Sequence, residues 1–243
     1  MRLDLDEVTA AYGSTVVLRD ISLSVPEGQV VALLGANGAG KTSLLKIVSG
    51  LLRPRRGRVL IDGEELSTVP SDARARLGVC HITEGRSIFP HLTVGDNIRL
   101  FAPKRASPGA VEGALDRFPA LRPCLPRPAG SLSGGQQQML ALVRAYLSEA
   151  PLVLFDEISM GLAPVVVDEI FEFLAGLRRA GRSLLVVEQY IPKALALADV
   201  VYILAKGRLV YAGEPAELSG SAEIMDHYFN AAESRRPREG ISR

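Results

Sequence analysis

This chain of 243 residues has few cysteines, a net charge close to zero and no long apolar run. Its two cysteines, Cys80 and Cys124, show no CxxC or Cys/His spacing, which indicates reduced thiols in a reducing compartment. The net charge of +1 gives no strong overall field toward nucleic acid or an anionic membrane. The opening residues, MRLDLDEVTA, lack the pattern of a signal peptide, and no apolar run has the length needed to cross a bilayer. We therefore expect any work at a membrane to depend on a partner.

The chain does contain three short apolar runs, Val30–Leu34, Leu152–Phe155 and Leu184–Val187. Nearly unbroken runs of this length are typical of strands that are buried on both faces, as in a parallel sheet covered by helices. A helical pattern follows each run, and this alternation predicts an α/β fold with right-handed crossovers. After the second run, behind Pro164, the residues at helical spacing are Val167, Ile170, Phe171, Leu174 and Leu177.

A different pattern flanks these runs. Residues 2–8 and 15–25 alternate polar and apolar side chains, and 57–62 is a shorter segment that ends at Gly63. We interpret all three as antiparallel strands beside the main sheet. Near the end of the chain, the sequence YILAKGRLVYAG predicts a hairpin that turns at Lys206–Gly207.

The segment 93–149 contains no buried-strand run, and proline and glycine cluster within it. We predict a helical subdomain here, inserted between the two halves of a core domain, 1–92 and 150–230. The last residues, 231–243, are charged and poor in apolar side chains, which predicts a flexible tail.

The first apolar run leads directly into GANGAGKT, residues 35–42, and then into a helical pattern. This matches the phosphate-loop motif G-x-x-x-x-G-K-[ST] in its required strand–loop–helix setting, whereas a glycine turn that binds nothing does not need that setting. The glycines let successive N–H groups face one anion, and the helix N-terminus adds its dipole. Lys41 is placed for the β- and γ-phosphates of a nucleotide and Thr42 for Mg²⁺. The nucleotide-binding residues predicted on this loop are Gly35, Asn37, Gly38, Ala39, Gly40, Lys41, Thr42 and Ser43.

The second apolar run ends in two carboxylates, Asp156 and Glu157. Charge is costly to bury, so packing does not explain this pair. Alone, an ordinary solvated strand end would be the simpler interpretation. Together with the phosphate loop, the pair predicts that Asp156 holds Mg²⁺ and that Glu157 orients and polarises the attacking water.

Residues 131–138 read SLSGGQQQ and open another helical pattern. Ser133 and Gln136 form a capping-box pattern, yet two glycines lower the stability of a helix start, which indicates a need for close backbone approach. The phosphate loop, this segment and the acidic strand end, in that order, resemble the ABC ATPase family, whose signature is leucine-serine-glycine-glycine-glutamine. The resemblance covers nearly the whole chain.

That resemblance implies a P-loop NTPase fold of the ABC ATPase type, with a mixed central sheet, an antiparallel β flank and an inserted helical subdomain. It implies ATP and Mg²⁺ as cofactors. It further implies that Tyr12 stacks under the adenine, with packing at a strand end as the alternative. A second ATPase subunit is implied as partner, its site completed by the signature residues Ser133, Gly134, Gly135 and Gln136.

Three positions depart from the majority pattern of the family. Glu84 stands where a glutamine usually senses nucleotide and the membrane partner, and we assign it to the metal site. Ala163 replaces an aspartate, and Gln189 replaces a histidine that contacts the γ-phosphate. A glutamine amide donates a hydrogen bond but cannot carry the charge of an imidazolium. We therefore expect Gln189 to act in catalysis with Lys41 and Glu157, at a site that is slower than its partner's.

The segments EGR…IFP, LSGGQQQML, DEISMGLAP and VEQY together resemble the second ATPase subunit of importers for branched-chain amino acids and related amides or urea. This implies two transmembrane permease subunits, an extracytoplasmic solute-binding protein that acts indirectly, and a place at the cytoplasmic face of the cell membrane. Residues 88–90, IFP, are the candidate permease contact, with a core-facing turn as the alternative. A soluble ABC ATPase and an exporter-type subunit are the competing functions. We predict no nucleic-acid partner.

Overall fold

A computed structural model describes residues 1–83, 85, 87–103 and 109–219. The predicted metal ligand Glu84 and the predicted tail, 231–243, lie outside these residues. Among the described helices, none combines the length and apolar composition that crossing a bilayer requires. The elements are β1 (Leu3–Tyr12), β2 (Thr15–Val25), β3 (Val30–Leu34), α1 (Lys41–Val48), β4 (Arg56–Ile61), β5 (Glu64–Glu65), α2 (Ser71–Arg76), β6 (Val79–Ile82), α3 (Val94–Phe101), α4 (Ala110–Arg117), α5 (Gly134–Leu147), β7 (Leu152–Asp156), α6 (Pro164–Arg179), β8 (Ser183–Val187), α7 (Ile191–Leu197), β9 (Val200–Ala205), β10 (Arg208–Gly213) and α8 (Pro215–Ser219), with 3₁₀ turns at Pro119–Cys124 and Ala129–Ser131.

The three apolar runs form neighbouring parallel strands in a six-stranded sheet of order β10-β9-β3-β8-β7-β6. Strand β10 runs antiparallel to β9 behind the predicted turn at Lys206–Gly207, so the sheet is mixed. Along β7, Leu152 and Leu154 face one hydrophobic core, while Val153 and Phe155 face another. Both faces of the sheet are therefore covered, which explains why these strands show no polar alternation.

A second, antiparallel sheet of order β2-β1-β4-β5 forms the predicted flank. Its apolar side chains share one core with helix α1 and one face of the large sheet. Strand β1 extends beyond the predicted residues because Tyr12 still pairs with Thr15 across the turn. Strand β4 ends one residue earlier than predicted, because Asp62 and Gly63 take φ angles of 50° and 82° and turn the chain.

The inserted segment is helical, as predicted. In its described residues, strand-like pairing is limited to an isolated bridge between Thr93 and Pro128. Helix α5 begins with the predicted capping box, in which Ser133 Oγ accepts from the N–H of Gln136 at 3.3 Å and Gln136 Oε1 accepts from the N–H of Ser133 at 3.1 Å. One hydrophobic core joins α5, α6 and a face of the large sheet, so the insert packs directly on the sheet. Its boundaries at 93 and 149 stay predictions.

A buried arginine closes the carboxyl end of helix α1. Arg74, on α2, is 1% exposed, and its Nη1 donates to the carbonyl oxygens of Ile47 and Val48 at 2.7 Å each. Its Nε donates to the carbonyl of Val69 at 3.0 Å, and its Nη2 donates to that of Leu66. Burial lowers the pKa of Arg74 to about 10, and its charge is favourable at a helix C-terminus. Arg74 thus fixes α1 at the end opposite the phosphate loop.

We expect Arg74→Met to lower the free energy of unfolding by about 3 kcal/mol, because buried carbonyls lose their donors. Arg74→Lys should lower the free energy of unfolding by less than Arg74→Met does. It should still be less stable than the wild type, because one ammonium cannot reach all four carbonyls. Urea unfolding measures both. The control is Arg76→Met, which removes an exposed ion pair with Asp72 and should cost at most about 0.5 kcal/mol. Equal losses at the two positions would contradict the role given to Arg74.

Candidate nucleotide site

A cavity of about 610 Å³ opens where β3, β7 and β8 end. The carboxyl ends of parallel strands lie at one edge of a sheet, so segments that are far apart in the chain meet there. The cavity brings together predicted residues of the phosphate loop, the acidic strand end and the segment after β8. Its described lining is Thr15, Val16, Val17, Asn37, Gly38, Gly40, Lys41, Thr42, Ser43, Glu157, Met160, Gln189, Lys206 and Gly207.

Lys41 lies at the centre of the phosphate loop. It begins helix α1 and is 4% exposed. Its Nζ donates to the carbonyl oxygens of Gly35 at 2.9 Å and Ala36 at 3.1 Å, and lies 3.4 Å from Glu157 Oε1. The ammonium therefore sits beside a helix N-terminus, where both the dipole and the free N–H groups attract an anion.

The turn between β9 and β10 supports the phosphate loop from outside. The N–H of Gly207 donates to the carbonyl of Ala39 at 2.9 Å. A Cβ added to Gly35, whose φ is 153°, would lie 2.2 Å from the carbonyl oxygen of Leu204. Only glycine tolerates both that backbone angle and that approach. The shape of the loop thus depends on the hairpin.

Thr42 and Asp156 form the predicted oxygen pair for a metal ion. Thr42 Oγ1 donates to Asp156 Oδ1 at 3.2 Å, and Asp156 is buried at 1% exposure. Within the described residues, no group of three or more His, Cys, Asp or Glu side chains is placed to hold a metal ion. A hydroxyl and a carboxylate are hard oxygen ligands, and Mg²⁺ commonly takes one or two such groups together with phosphate oxygens and water. The donors present therefore fit Mg²⁺.

Glu157 and Gln189 are in direct contact. Gln189 Nε2 donates to Glu157 Oε2 at 2.8 Å and to Asn37 Oδ1 at 3.2 Å, and lies 3.7 Å from Met160 Sδ. The Glu157 carboxylate is thus held between the amide of Gln189 and the ammonium of Lys41. This carboxylate is 11% exposed at the cavity, where it can contact a water molecule.

Some predicted residues are not in the described lining of this cavity: Gly35, Ala39, Asp156, Tyr12 and the four signature residues. Tyr12 is 46% exposed at the end of β1 and is absent from the described lining, although its strand partner Thr15 belongs to it. The signature segment forms the start of α5, where a Cβ on Gly135 would lie 3.2 Å from Val166. None of the four signature residues is in the described lining. The roles of Tyr12 and the signature stay predictions.

Sequence reasoning missed several lining residues: Thr15, Val16, Val17, Met160, Lys206 and Gly207. The signal available for the last two was the predicted turn of the hairpin, which placed them at a strand end but did not indicate which loop they would touch. Sequence reasoning also missed Glu188, which is 2% exposed and follows β8 directly.

Gly35→Ala should lower both stability and ATP affinity, because its methyl group would overlap the carbonyl of Leu204. We expect a loss of about 2–4 kcal/mol in the free energy of unfolding. Gly181→Ala is the matched control, since its φ is 78° and a Cβ there meets nothing within 4 Å. That control should lose only about 1 kcal/mol and keep ATP affinity, as measured by urea unfolding and calorimetry. Equal behaviour of the two variants would show that the contact with β9 has no effect.

Comparisons with known proteins agree with this geometry. A family model described as ABC transporter matches residues 18–159. The high-affinity branched-chain amino acid transport ATP-binding protein BraG of Pseudomonas aeruginosa is 39% identical over 93% of this chain and 98% of its own length. The lipopolysaccharide export system ATP-binding protein LptB of Escherichia coli K12 is 32% identical over 93% and 96%. A solved ATP-binding subunit of an ABC transporter superposes with a TM-score of 0.82, at 27% identity, over 96% of this chain and 100% of its own.

The fold predicted from the resemblance is confirmed, both in its two sheets and in its helical insert. ATP-binding subunits of this family bind nucleotide and work with membrane-spanning partner subunits. The family match and the relatives cover the phosphate loop and the acidic strand end that the structure joins in one cavity. The chain therefore belongs to the ABC transporter family, as an ATP-binding and ATP-hydrolysing subunit.

Proposed function

We propose that this ATPase subunit powers an importer for branched-chain amino acids or similar small polar solutes. The observation that carries the ATPase mechanism is the position of the Glu157 carboxylate between Lys41 and Gln189. Similarity over nearly the whole chain to BraG, which is named as a branched-chain amino acid transport protein, supports the class of solute. The segments EGR and EQY, which resemble those of importer subunits, support the direction.

In this proposal the phosphates of ATP lie against the N–H groups of residues 35–42, with Lys41 at the β- and γ-phosphates. Thr42 and Asp156 would hold Mg²⁺, with Glu84 as a further predicted ligand. When bound, the ion supplies positive charge to the phosphate oxygens. The adenine would lie toward β2, and the proximity of Tyr12 to the lining residue Thr15 supports Tyr12 as its stacking partner.

Glu157 is the proposed base that orients and polarises the attacking water. Gln189 holds this carboxylate by one amide N–H. Its other N–H, which donates to Asn37 in this structure, would turn to the γ-phosphate. Because that amide is neutral, it stabilises developing negative charge less than an imidazolium would. The neutral amide therefore supports a slower ATP site in this subunit than in a different partner subunit that carries a histidine at this position.

A second ATPase subunit, identical or different, is proposed to complete the site. The signature residues 133–136 offer a helix N-terminus with backbone donors, yet they are outside the described lining of this chain's own cavity. We infer that they cover the γ-phosphate held by the partner. ATP then binds the closed pair more tightly than the open one, and this differential affinity shifts the permease between its two states.

The proposed permease contact is a second cavity of about 480 Å³, lined in part by Leu51, Ile88 and Phe89. The sequence offered two interpretations of segment 88–90, a permease contact and a core-facing turn, and its residues differ in which one they fit. Ile88 packs against the hydrophobic core, whereas Phe89 is 50% exposed and Leu51 is 56% exposed. Exposed apolar side chains beside a cavity are typical of a contact surface, which supports docking of a permease segment here.

An export function is the second candidate, because LptB, named as part of an export system, is 32% identical over nearly the same length. Purification of the tagged chain from its native membranes in mild detergent separates the candidates. The importer proposal expects two polytopic permeases and a second ATPase subunit, with solute uptake in vesicles that contain them. Recovery of export components would favour the second candidate, and recovery of ribosomes or of DNA-repair proteins would reject both.

We expect Glu157→Gln to lower kcat for ATP hydrolysis by about 10²–10⁴-fold, because the amide cannot act as a base. ATP affinity should remain, since Lys41 and the phosphate loop are unchanged. Glu169→Gln, at an exposed position of α6, is the matched control and should hydrolyse ATP normally. Steady-state kinetics and calorimetry test both variants. A folded Glu157→Gln protein with weak ATP binding would refute this division of roles.

A further inference from the structure

Glu188 carries a buried carboxylate that the mechanism above does not use. The residue follows β8 and is 2% exposed. Burial raises its pKa, and the nearby charge of Glu157 raises it further, while hydrogen bonds from Ser159 and from the backbone of Gln189 act in the opposite direction. A carboxylate that is costly to bury and is stabilised by donors from two loops indicates a specific task.

The partner of this carboxylate is Ser159, in the loop that follows β7. Ser159 N–H donates to Glu188 Oε1 at 3.1 Å, and the Ser159 hydroxyl donates to Glu188 Oε2 at 2.5 Å. Ser159 itself is 4% exposed. Both carboxylate oxygens of Glu188 thus accept hydrogen bonds from Ser159, and these bonds fix the loop after β7 to the end of β8.

Ser159, the residue that Glu188 holds, lies two positions after Glu157, and it is Glu157 whose backbone is strained. Glu157 has a φ of 49°, in the left-handed region that residues other than glycine rarely adopt. Its own N–H donates to the carbonyl of Val187 at 2.9 Å. Two consecutive residues of one segment, Val187 and Glu188, therefore hold the chain at Glu157 itself and at Ser159. Strained conformations persist where the surroundings fix them from both sides.

The same carboxylate adjoins the other half of the site. Gln189 is the next residue in the chain, and its amide donates to Glu157 at 2.8 Å. The amide of Gln189 also lies 3.7 Å from the Sδ atom of Met160, the residue that follows Ser159 in the chain. The hydrogen-bonded pair Glu188–Ser159 thus lies one residue from both Gln189 and Met160, which take part in this contact.

We propose that Glu188 is a positioning residue for ATP hydrolysis, which clamps the loop after β7 so that the carboxylate of Glu157 faces the γ-phosphate and the amide of Gln189. The inference rests on the roles proposed for Glu157 and Gln189. Misplacement of a reacting group by about 1 Å can cost about 100-fold in rate. The clamp acts on rate, because Glu188 is not among the described residues that line the cavity.

The test is steady-state ATP hydrolysis by the full chain. Glu188→Ala removes both hydrogen bonds and should lower kcat by about 10–100-fold, with KM for ATP unchanged. Glu188→Gln keeps the length, can accept from the Ser159 N–H and can donate to the Ser159 hydroxyl, so it should restore most of the wild-type kcat. An unchanged kcat in Glu188→Ala would overturn the inference.

Ser183→Ala is the matched control for loss of a buried hydrogen-bonding group. Ser183 lies at the opposite end of β8, is 0% exposed, accepts from the N–H of Gly28 at 2.9 Å and donates to the carbonyl of Met1 at 2.6 Å. Its loss should lower the melting temperature but leave kcat unchanged. If Ser183→Ala and Glu188→Ala reduce kcat equally, Glu188 has only a structural role and the inference fails.

A double-mutant cycle with Glu157→Gln separates this inference from the proposed function. If Glu188 acts through Glu157, adding Glu188→Ala to Glu157→Gln should lower kcat little further. A full additional loss would overturn the clamp while leaving the base in place. If Glu157→Gln alone left kcat unchanged, the proposed role of Glu157 would fall, and the inference with it.

Discussion

The pairing of β3, β8 and β7 is the constraint on which the site depends. Val30 pairs with Leu184 and Leu152 with Ser183, so three strands from distant parts of the chain end at one edge. Because these strands are buried on both faces, a slip by one residue would exchange the side chains that face the two cores. Packing of the hydrophobic cores thereby fixes the register of these strands, and the register places Glu157 Oε1 at 3.4 Å from Lys41 Nζ on the phosphate loop.

A cationic side chain lies at each end of helix α1. Lys41 places a cation at the N-terminus, where the helix dipole disfavours it, and Arg74 places another at the C-terminus, where the dipole favours it. The carbonyls of Gly35 and Ala36 and the carboxylate of Glu157 stabilise Lys41 at the unfavourable end. In the proposed function an arriving phosphate group is a stronger partner for the same ammonium, and the site is organised for that anion before it binds.

Local patterns were sufficient for much of the fold. Unbroken apolar runs identified three of the six strands of the large sheet, β3, β7 and β8. The glycine pattern identified the phosphate loop, and Ser133 with Gln136 identified the start of α5. What escaped prediction is non-local. The sequence shows a glutamate before Gln189, but its burial and its grip on Ser159 exist only because β7 and β8 are neighbours. The contact of Gly207 with Ala39 likewise joins residues that no spacing rule connects.

The support of the phosphate loop by the β9–β10 hairpin has a consequence for how the protein is made. A ribosome synthesises residues 35–42 well before the two residues that shape this loop. Leu204 follows its contact Gly35 by 169 residues, and Gly207 follows its contact Ala39 by 168. Strand β3 also cannot pair until its two neighbours, β8 and β9, have been synthesised, because both lie in residues 183–205. Until β8 and β9 have been synthesised, strand β3 and the phosphate loop lack the partners that bury and shape them. Long-range closure of this kind is slow, and an apolar strand without its neighbours is prone to aggregation during that interval.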